Sequence, residues 1–344
     1  MAELTVGAGL ARGLMAFAVA KGASRSELAA RAGIDPADLS DQDNRIPFPK
    51  YVALMRAGKE LANDPALALH YGAFNDMAEV SVVGLIANAS ETMIEAFAQL
   101  NRYGRLVIEF DGPAERFRLE RDAAGLWVVD NRENPNDFPE LTESTWARMV
   151  CGPRALGIKQ MIRAVHVTHE APAYAAEYDR ILQMPVVFQS ARNALLIDET
   201  LMHQKIAIQP RYVFGVLSAR ADALLKELEN SKSTRGRVES LLMPILHTGN
   251  ASMDTIVGKL GLSRQTLFRK LKAEGTTFEK VLDDLRHRLA LHYLAGKKVS
   301  VNQCAYLVGF SDPAAFSRAF KRWTGSSPRR MRASKIENER TGFS

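Results

Sequence analysis

Two stretches in the C-terminal third of this 344-residue chain carry the same punctuation. Residues 252–271 read SMDTIVGKLGLSRQTLFRKL, and residues 300–320 read SVNQCAYLVGFSDPAAFSRAF. Each opens on Ser, whose hydroxyl can accept from a free backbone N–H in the first turn of a helix. Each then runs through a short apolar-periodic segment to a glycine, which takes the left-handed conformation at least cost. A large apolar residue, a serine and a second amphipathic segment rich in Arg and Lys follow. This is a helix–turn–helix written twice, and it confines the region to an all-α arrangement.

In the first copy Ile256, Val257 and Leu260 fall at helical spacing, Gly261 turns the chain, Leu262 plugs the angle between the helices and Ser263 caps the second helix. Leu267, Phe268 and Leu271 are expected to form its buried stripe. In the second copy Ser300 caps, while Cys304, Ala305, Leu307 and Val308 are expected in the core. Gly309 turns, Phe310 plugs, and Ser311 or Asp312 caps again. Pro313 stands at the helix start, where its missing N–H costs nothing. Phe316 and Phe320, four apart, are expected to be buried. The copies are offset by 48 residues at the turn serines (Ser263, Ser311) and by 49 at the apolar stripe (Leu267, Phe316). The second copy thus carries one extra residue at the helix start.

A helix entering the major groove of B-DNA must offer base-reaching side chains near its N-terminus and cations for phosphates. Ser263, Arg264, Gln265, Thr266, Arg269 and Lys270 are the candidates in the first copy. Ser311, Asp312, Ala314, Ser317, Arg318, Lys321 and Arg322 are the candidates in the second. Between them residues 278–296 present an apolar face of Val281, Leu282, Leu285, Leu289, Leu291, Tyr293 and Leu294, with Gly296 as a fitting stop. Such a helix is roughly 28 Å long, close to the ~34 Å turn of B-DNA. It could set two reading helices into successive major grooves. Charge agrees: residues 235–334 hold 18 Lys+Arg against 7 Asp+Glu, a net of +11 within a chain of +6. The last ten residues balance, so residues 1–234 carry −5. The basic charge is concentrated where phosphate would be bound.

With both copies, the connector and the spacing in place, this unit resembles the DNA-binding domain of the AraC family of bacterial transcription regulators. Residues 309–332, GFSDPAAFSRAFKRWTGSSPRRMR, match that family's signature in its second motif. The segment KLKAEGTTF of the first motif resembles an OruR-like, arabinose-binding-type subgroup. The resemblance implies a cytoplasmic regulator, with double-stranded DNA as partner. It also implies a small-molecule effector, RNA polymerase as a further partner and a homodimer. No enzyme activity, cofactor or metal is implied.

Residues 1–209 read as an α+β sensor domain. Residues 8–72 and 90–104 are expected to be mainly helical. The period then changes: 105–110, 115–121 and 125–131 alternate or run in β-branched and aromatic residues, with turns between them, and are expected to be strands. Residues 140–163 read as helix, and 164–170 and 185–198 as further strands. The order is similar to the OruR-like sensor domain: Val-Val-Gly-Leu at 82–85, a Ser-Glu-Thr helix ending in Arg102 and Tyr103, and Tyr-Asp-Arg-Ile-Leu-Gln-Met-Pro-Val-Val-Phe at 178–188. The subgroup often has Phe-Gly where this chain has Leu182 to Met184. Residues 210–234 are expected to be a helix and linker. There Val213, Leu217, Ala221, Leu224 and Leu228 recur at near-coiled-coil spacing. Two readings stand: a dimerisation seam, of which Val213, Leu217, Leu224 and Leu228 are the candidates, or packing onto the sensor core. Residues 230–237 are the expected polar linker, 235–334 the double helix–turn–helix domain, and 335–344 a frayed tail.

Other features are set aside. SRSELAARAGIDPADLS (24–40) imitates a helix–turn–helix, but Asp35, Asp38 and Asp41 lie where phosphate would sit. His166 and His169 stand an odd step apart on an expected strand and face opposite sides. Trp127 and Trp146 read as core sooner than as pocket lining. No apolar run approaches a membrane span, no secretory signal is expected at the N-terminus, and Cys151 and Cys304 fall in different domains, which suits a reducing compartment. Two rival readings are an enzyme fused to a DNA-binding module and a DNA-binding protein without an effector. The sequence offers the first no catalytic constellation.

Overall fold

The computed structural model describes residues 3–331, apart from 114, 156, 159, 160, 207, 208 and 296–298. The expected stop at Gly296 and the tail at 335–344 lie outside the described residues. Contacts divide the chain into residues 1–226 and 227–344.

The first unit is α+β. Strands β1 (Thr5–Gly7) and β2 (Arg45–Pro47) form a small antiparallel pair amid helices α1 (Ala8–Ala20), α2 (Arg25–Ala32) and α3 (Phe48–Leu61). Helices α4 (Leu67–Phe74), α5 (Met77–Val80), α6 (Val82–Ala89) and α7 (Met93–Val107) follow. Leu67, Ala68, Leu69, His70, Tyr71 and Gly72 of α4 are all buried. A helix covered on every side belongs at the centre of a unit. Beyond it come β3 (Phe117–Asp122), β4 (Gly125–Asp130), α8 (Pro139–Ala155), β5 (Ile162–His166), α9 (Ala175–Leu182), β6 (Val186–Val187), β7 (Ala194–Ile197) and α10 (Glu199–Met202). The sheet order is β3-β4-β7-β5-β6; β5 and β6 are parallel and the other pairs antiparallel. Side chains alternate across it. Val128, Leu195 and Ile197 join Trp146 of α8 in one core, while Trp127, Val129 and Ala194 form a small cluster of their own.

One expectation for this unit needs correction. Residues 105–110 are not a strand: α7 runs on to Val107, and Ile108 makes only an isolated bridge to Val6. Ala96, Tyr103 and Val107 are buried on one face of α7, so the helical face continues into the start of that segment. The mimic at 24–40 is α2 followed by a single 3₁₀ turn at Pro36–Leu39. The coiled-coil spacing lies on α11 (Arg211–Lys232), where Leu217, Ala221 and Leu224 pack on the sensor core with Phe214 and Leu225. Leu217 and Leu224 are half-buried in that packing. Val213 is half-buried and Leu228 buried. Asp222 on the same helix accepts from Tyr103 Oη and Arg102 Nη2, both at 2.8 Å.

The second unit is all-α: α12 (Thr234–Leu242), a 3₁₀ segment (Met243–Thr248), α13 (Met253–Leu260), α14 (Arg264–Ala273), α15 (Phe278–Ala295), α16 (Val301–Leu307) and α17 (Pro313–Thr324). The expected linker at 230–237 is helical on both sides of Ser233, which caps α12 by accepting from Gly236 N. Two small cores are built along α15. Val238, Leu242, Leu246, Ile256, Leu267, Leu271 and Leu285 fill one; Ala290, Leu294, Cys304, Val308, Phe316 and Phe320 fill the other. Burial pushes the Cys304 thiol up to about 11.

Candidate DNA interface

Each reading helix is fixed at its start by a cap and at its back by apolar packing. In the first motif Ser252 accepts from Thr255 N at 3.2 Å, Gly261 closes α13 at φ 63°, and Ser263 accepts from Thr266 N at 3.1 Å. In the second, Ser300 and Gln303 form a reciprocal capping box, Gly309 turns at φ 82°, and Asp312 caps α17. Both Asp312 oxygens accept backbone N–H groups, from Ala314 at 3.0 Å and Ala315 at 2.9 Å. Those bonds hold its carboxyl below the usual range. Of the two expected caps, Asp312 is the one used.

Leu267 and Leu271 point α14 inward, but Phe268 does not join them and stands 53 % exposed. Neighbours on a helix are about 100° apart, and with Leu267 and Leu271 set on the core Phe268 is turned outward. Phe268 instead falls on an outward face with Gln265, Arg269 and Lys272, at successive steps of three, one and three. Likewise Leu307 and Leu291, expected in the core, are 36 % and 37 % exposed. On α17 Phe316, Ala319 and Phe320 are buried, leaving Ala314, Arg318 and Lys321 exposed on one side with Ser317 half-covered.

The cations differ in what already holds them. Arg264 is ion-paired with Asp254 of α13, an exposed pair that raises the arginine's pKa and lowers the aspartate's. Arg322 reaches Asp283 of α15 at 2.8 Å. Arg269, Lys272 and Lys321 have no ion-pair partner among the described residues. Two expected groups are spent locally: Thr266 Oγ1 lies 2.9 Å from Ser263 Oγ, and Ser317 Oγ donates to Pro313 O. Gln265 and Lys270 are exposed, as is Ser311. Phe268 and Lys272 are the outward residues that sequence reasoning passed over. Their signal was the three–four spacing from Gln265.

Arg286 of α15 serves the architecture. Its Nε donates to Val308 O at 3.2 Å, its Nη2 to Gly309 O at 3.0 Å, and its guanidinium lies 4.7 Å from the Phe310 ring centre. Burial pulls its pKa down. The connector thereby grips the second turn directly.

An α+β unit ahead of two capped helix–turn–helix motifs on one connector defines a DNA-binding transcription regulator with an N-terminal ligand-binding domain. Residues 22–206 match the family described as the arabinose-binding domain of AraC transcription regulator, N-terminal, and residues 256–334 match a helix-turn-helix domain. The chain belongs to the AraC family. It is 26% identical to the ornithine utilization regulator of Pseudomonas aeruginosa over 92% of this chain and 93% of that protein. It is 36% identical to the transcriptional activator RhaS of Escherichia coli over 34% of this chain and 42% of that protein. Among solved structures the transcriptional regulator CdpR of Pseudomonas aeruginosa aligns over 90% of this chain and 96% of that one, at 21% identity and a TM-score of 0.39. No helix among the described residues is long and apolar enough to cross a membrane.

Proposed function

We propose that this regulator reads two successive major grooves, one with α14 and one with α17, and that a small molecule in the first unit alters that binding. The carrying observation is the pair of outward faces: Gln265, Phe268, Arg269 and Lys272 on one helix; Ala314, Arg318 and Lys321 on the other. In this reading Arg269 and Lys272 serve phosphates or guanine, Gln265 an adenine edge, and Phe268 a thymine methyl. Arg264 and Arg322 reach phosphates while keeping their intramolecular pairs. Lys270 stands beside the groove, and Ser311 is near enough to the helix start to donate to phosphate, while Ser317 keeps its hydroxyl on Pro313 O and helps fix the helix. Ser263, Thr266 and Asp312 act by fixing the helix ends. A homodimer, with Val213, Leu217, Leu224 and Leu228 of α11 as its candidate contacts, and contact with RNA polymerase during activation complete the proposal.

The test is selection of a binding site from a random duplex pool with the full chain, followed by hydroxyl-radical footprinting. Two protected tracts about 10 base pairs apart are expected. Substituting Arg269→Ala should weaken one tract and Arg318→Ala the other. A double variant that binds the selected site like wild type would overturn the assignment of these helices. Sedimentation of the free and DNA-bound chain reads the oligomeric state.

A further inference from the structure

The first unit contains a cavity of about 400 Å³, within the range of small-molecule sites. Its walls come from α4 to α8 and from strands of the sheet, and Phe97, Leu100 and Ile197 are typical of its lining. Five of the chain's twelve methionines line it as well: Met77, Met93, Met149, Met161 and Met202. Unbranched thioethers adapt to a long, flexible guest better than branched side chains do. Neither Trp127 nor Trp146 lines it.

Two charged residues interrupt this apolar wall: Asp76, whose Oδ1 accepts from Ala78 N at 2.8 Å, and Arg148. Arg148 of α8 lines the cavity, and its Nε is buried without a hydrogen-bond partner. The guanidinium lies 5.9 Å from the Tyr71 ring centre and makes no ion pair or hydrogen bond with any described residue. The side chain as a whole keeps some accessible surface, as a cavity-lining residue must, while its Nε keeps none. Nearby charges do not compensate it. The groups acting on it are Tyr71, Tyr51 and a second cation, Arg116, which is itself paired with Asp130 at 3.0 Å. An unpaired cation in an apolar interior is strongly unfavourable, and the fold tolerates it here beside an empty volume.

We propose that this cavity binds an unbranched alkyl monocarboxylate, its chain among the methionines and its carboxylate on the Arg148 guanidinium. This rests on reading the first unit as the sensor, and it names the ligand's chemical class. A guanidinium fork suits a carboxylate in bidentate geometry. A phosphate monoester would bring a second charge with no buried partner. A sugar would leave most of its hydroxyls unsatisfied against such a wall.

The experiment is calorimetric titration of the full chain with octanoate, decanoate and dodecanoate, and with decanol and L-arabinose as controls. Binding to the selected DNA site is measured on the same preparation. Affinity should rise about four-fold for each added methylene until the cavity is full, the ratio implied by about 0.8 kcal/mol per buried CH₂. Decanoate should bind at least ten-fold more tightly than decanol. In Arg148→Met that preference should vanish while decanol still binds, which also reports that the variant is folded. Equal affinity for decanoate and decanol in wild type, tighter binding of arabinose than of decanoate, or an acid preference that survives in Arg148→Met would each overturn the proposal. Absence of carboxylate binding by a preparation that binds DNA would defeat it too, and would leave the DNA-reading assignment standing.

Discussion

The two turn glycines look interchangeable in sequence, yet replacing them should have very different consequences. Both Gly261 and Gly309 sit at positive φ, 63° and 82°. An alanine forced into that region costs about 1–2 kcal/mol, offset by about 0.4–1 kcal/mol from stiffening the unfolded chain. For Gly261→Ala that is nearly the whole effect, because an added Cβ meets nothing within 4 Å. The expected loss is about 1 kcal/mol. At Gly309 the Cβ would stand 2.3 Å from Leu246 O and 3.5 Å from Arg286 Nη2. Leu246 is only 1 % exposed, and a backbone carbonyl set in a core cannot swing aside as a surface side chain can. Overpacking of this kind adds about 1–3 kcal/mol, so Gly309→Ala should lose about 3 kcal/mol in all. Urea unfolding of the full chain, followed by hydrogen exchange in peptides from α13 to α17, separates this unit from the first. Equal losses for the two variants, or a larger loss at Gly261, would refute the idea that the Gly309 seat is set by contact as well as by φ.

Phe268→Ala should change stability by less than about 0.5 kcal/mol, as exposed sites usually do, while abolishing a thymine preference. Replacing single thymines of the selected site by uracil should weaken wild type at one position and leave the variant indifferent there. Asp130→Asn leaves Arg116 and Arg132 without their shared partner and should cost about 3–5 kcal/mol at neutral pH. Burial alone would raise the Asp130 pKa, but the two arginines overcome it and hold the carboxyl below its ordinary range. A depressed folded-state pKa gives stability that is present at higher pH and lost as pH falls. The gap between wild type and variant should therefore begin to close only below about pH 4, and unfolding titrations that show it closing near neutrality would contradict this. Asp254→Asn removes an exposed negative charge and releases Arg264, so DNA affinity should rise, most visibly at low salt; fluorescence anisotropy at two ionic strengths reads it.

What was legible in the sequence was local. Caps at Ser252, Ser263 and Ser300 and turns at Gly261 and Gly309 depend on residues a few positions apart, and these stand where the spacing put them. The errors came where an apolar run was longer than one stripe. In the adjacent pairs Leu267 with Phe268, and Leu307 with Val308, only one member is buried; propensity does not say which. The RLVIEF segment satisfied a strand pattern, yet its first three residues finish α7. The heptad-like spacing on α11 is identical whether the partner is a second copy or the chain's own sensor core. The Arg148 cavity was beyond reach, because a void depends on how far apart elements from residues 72 to 206 come to rest.

Arg286 and the Gly309 seat have a consequence for the DNA as well as for the protein. The second turn is bonded to the connector and abuts Leu246 of the first motif's core. In the two-groove reading proposed above, two reading heads held on such a frame would have little freedom to slide apart. Adding one base pair between their sites would rotate the second by about a tenth of a turn and carry it about 3.4 Å along the axis. The lost contacts cannot be recovered by a flexible joint. The regulator would then distinguish promoters by the interval between two short words, rejecting both correct words at the wrong interval, so that spacing becomes part of the recognised message.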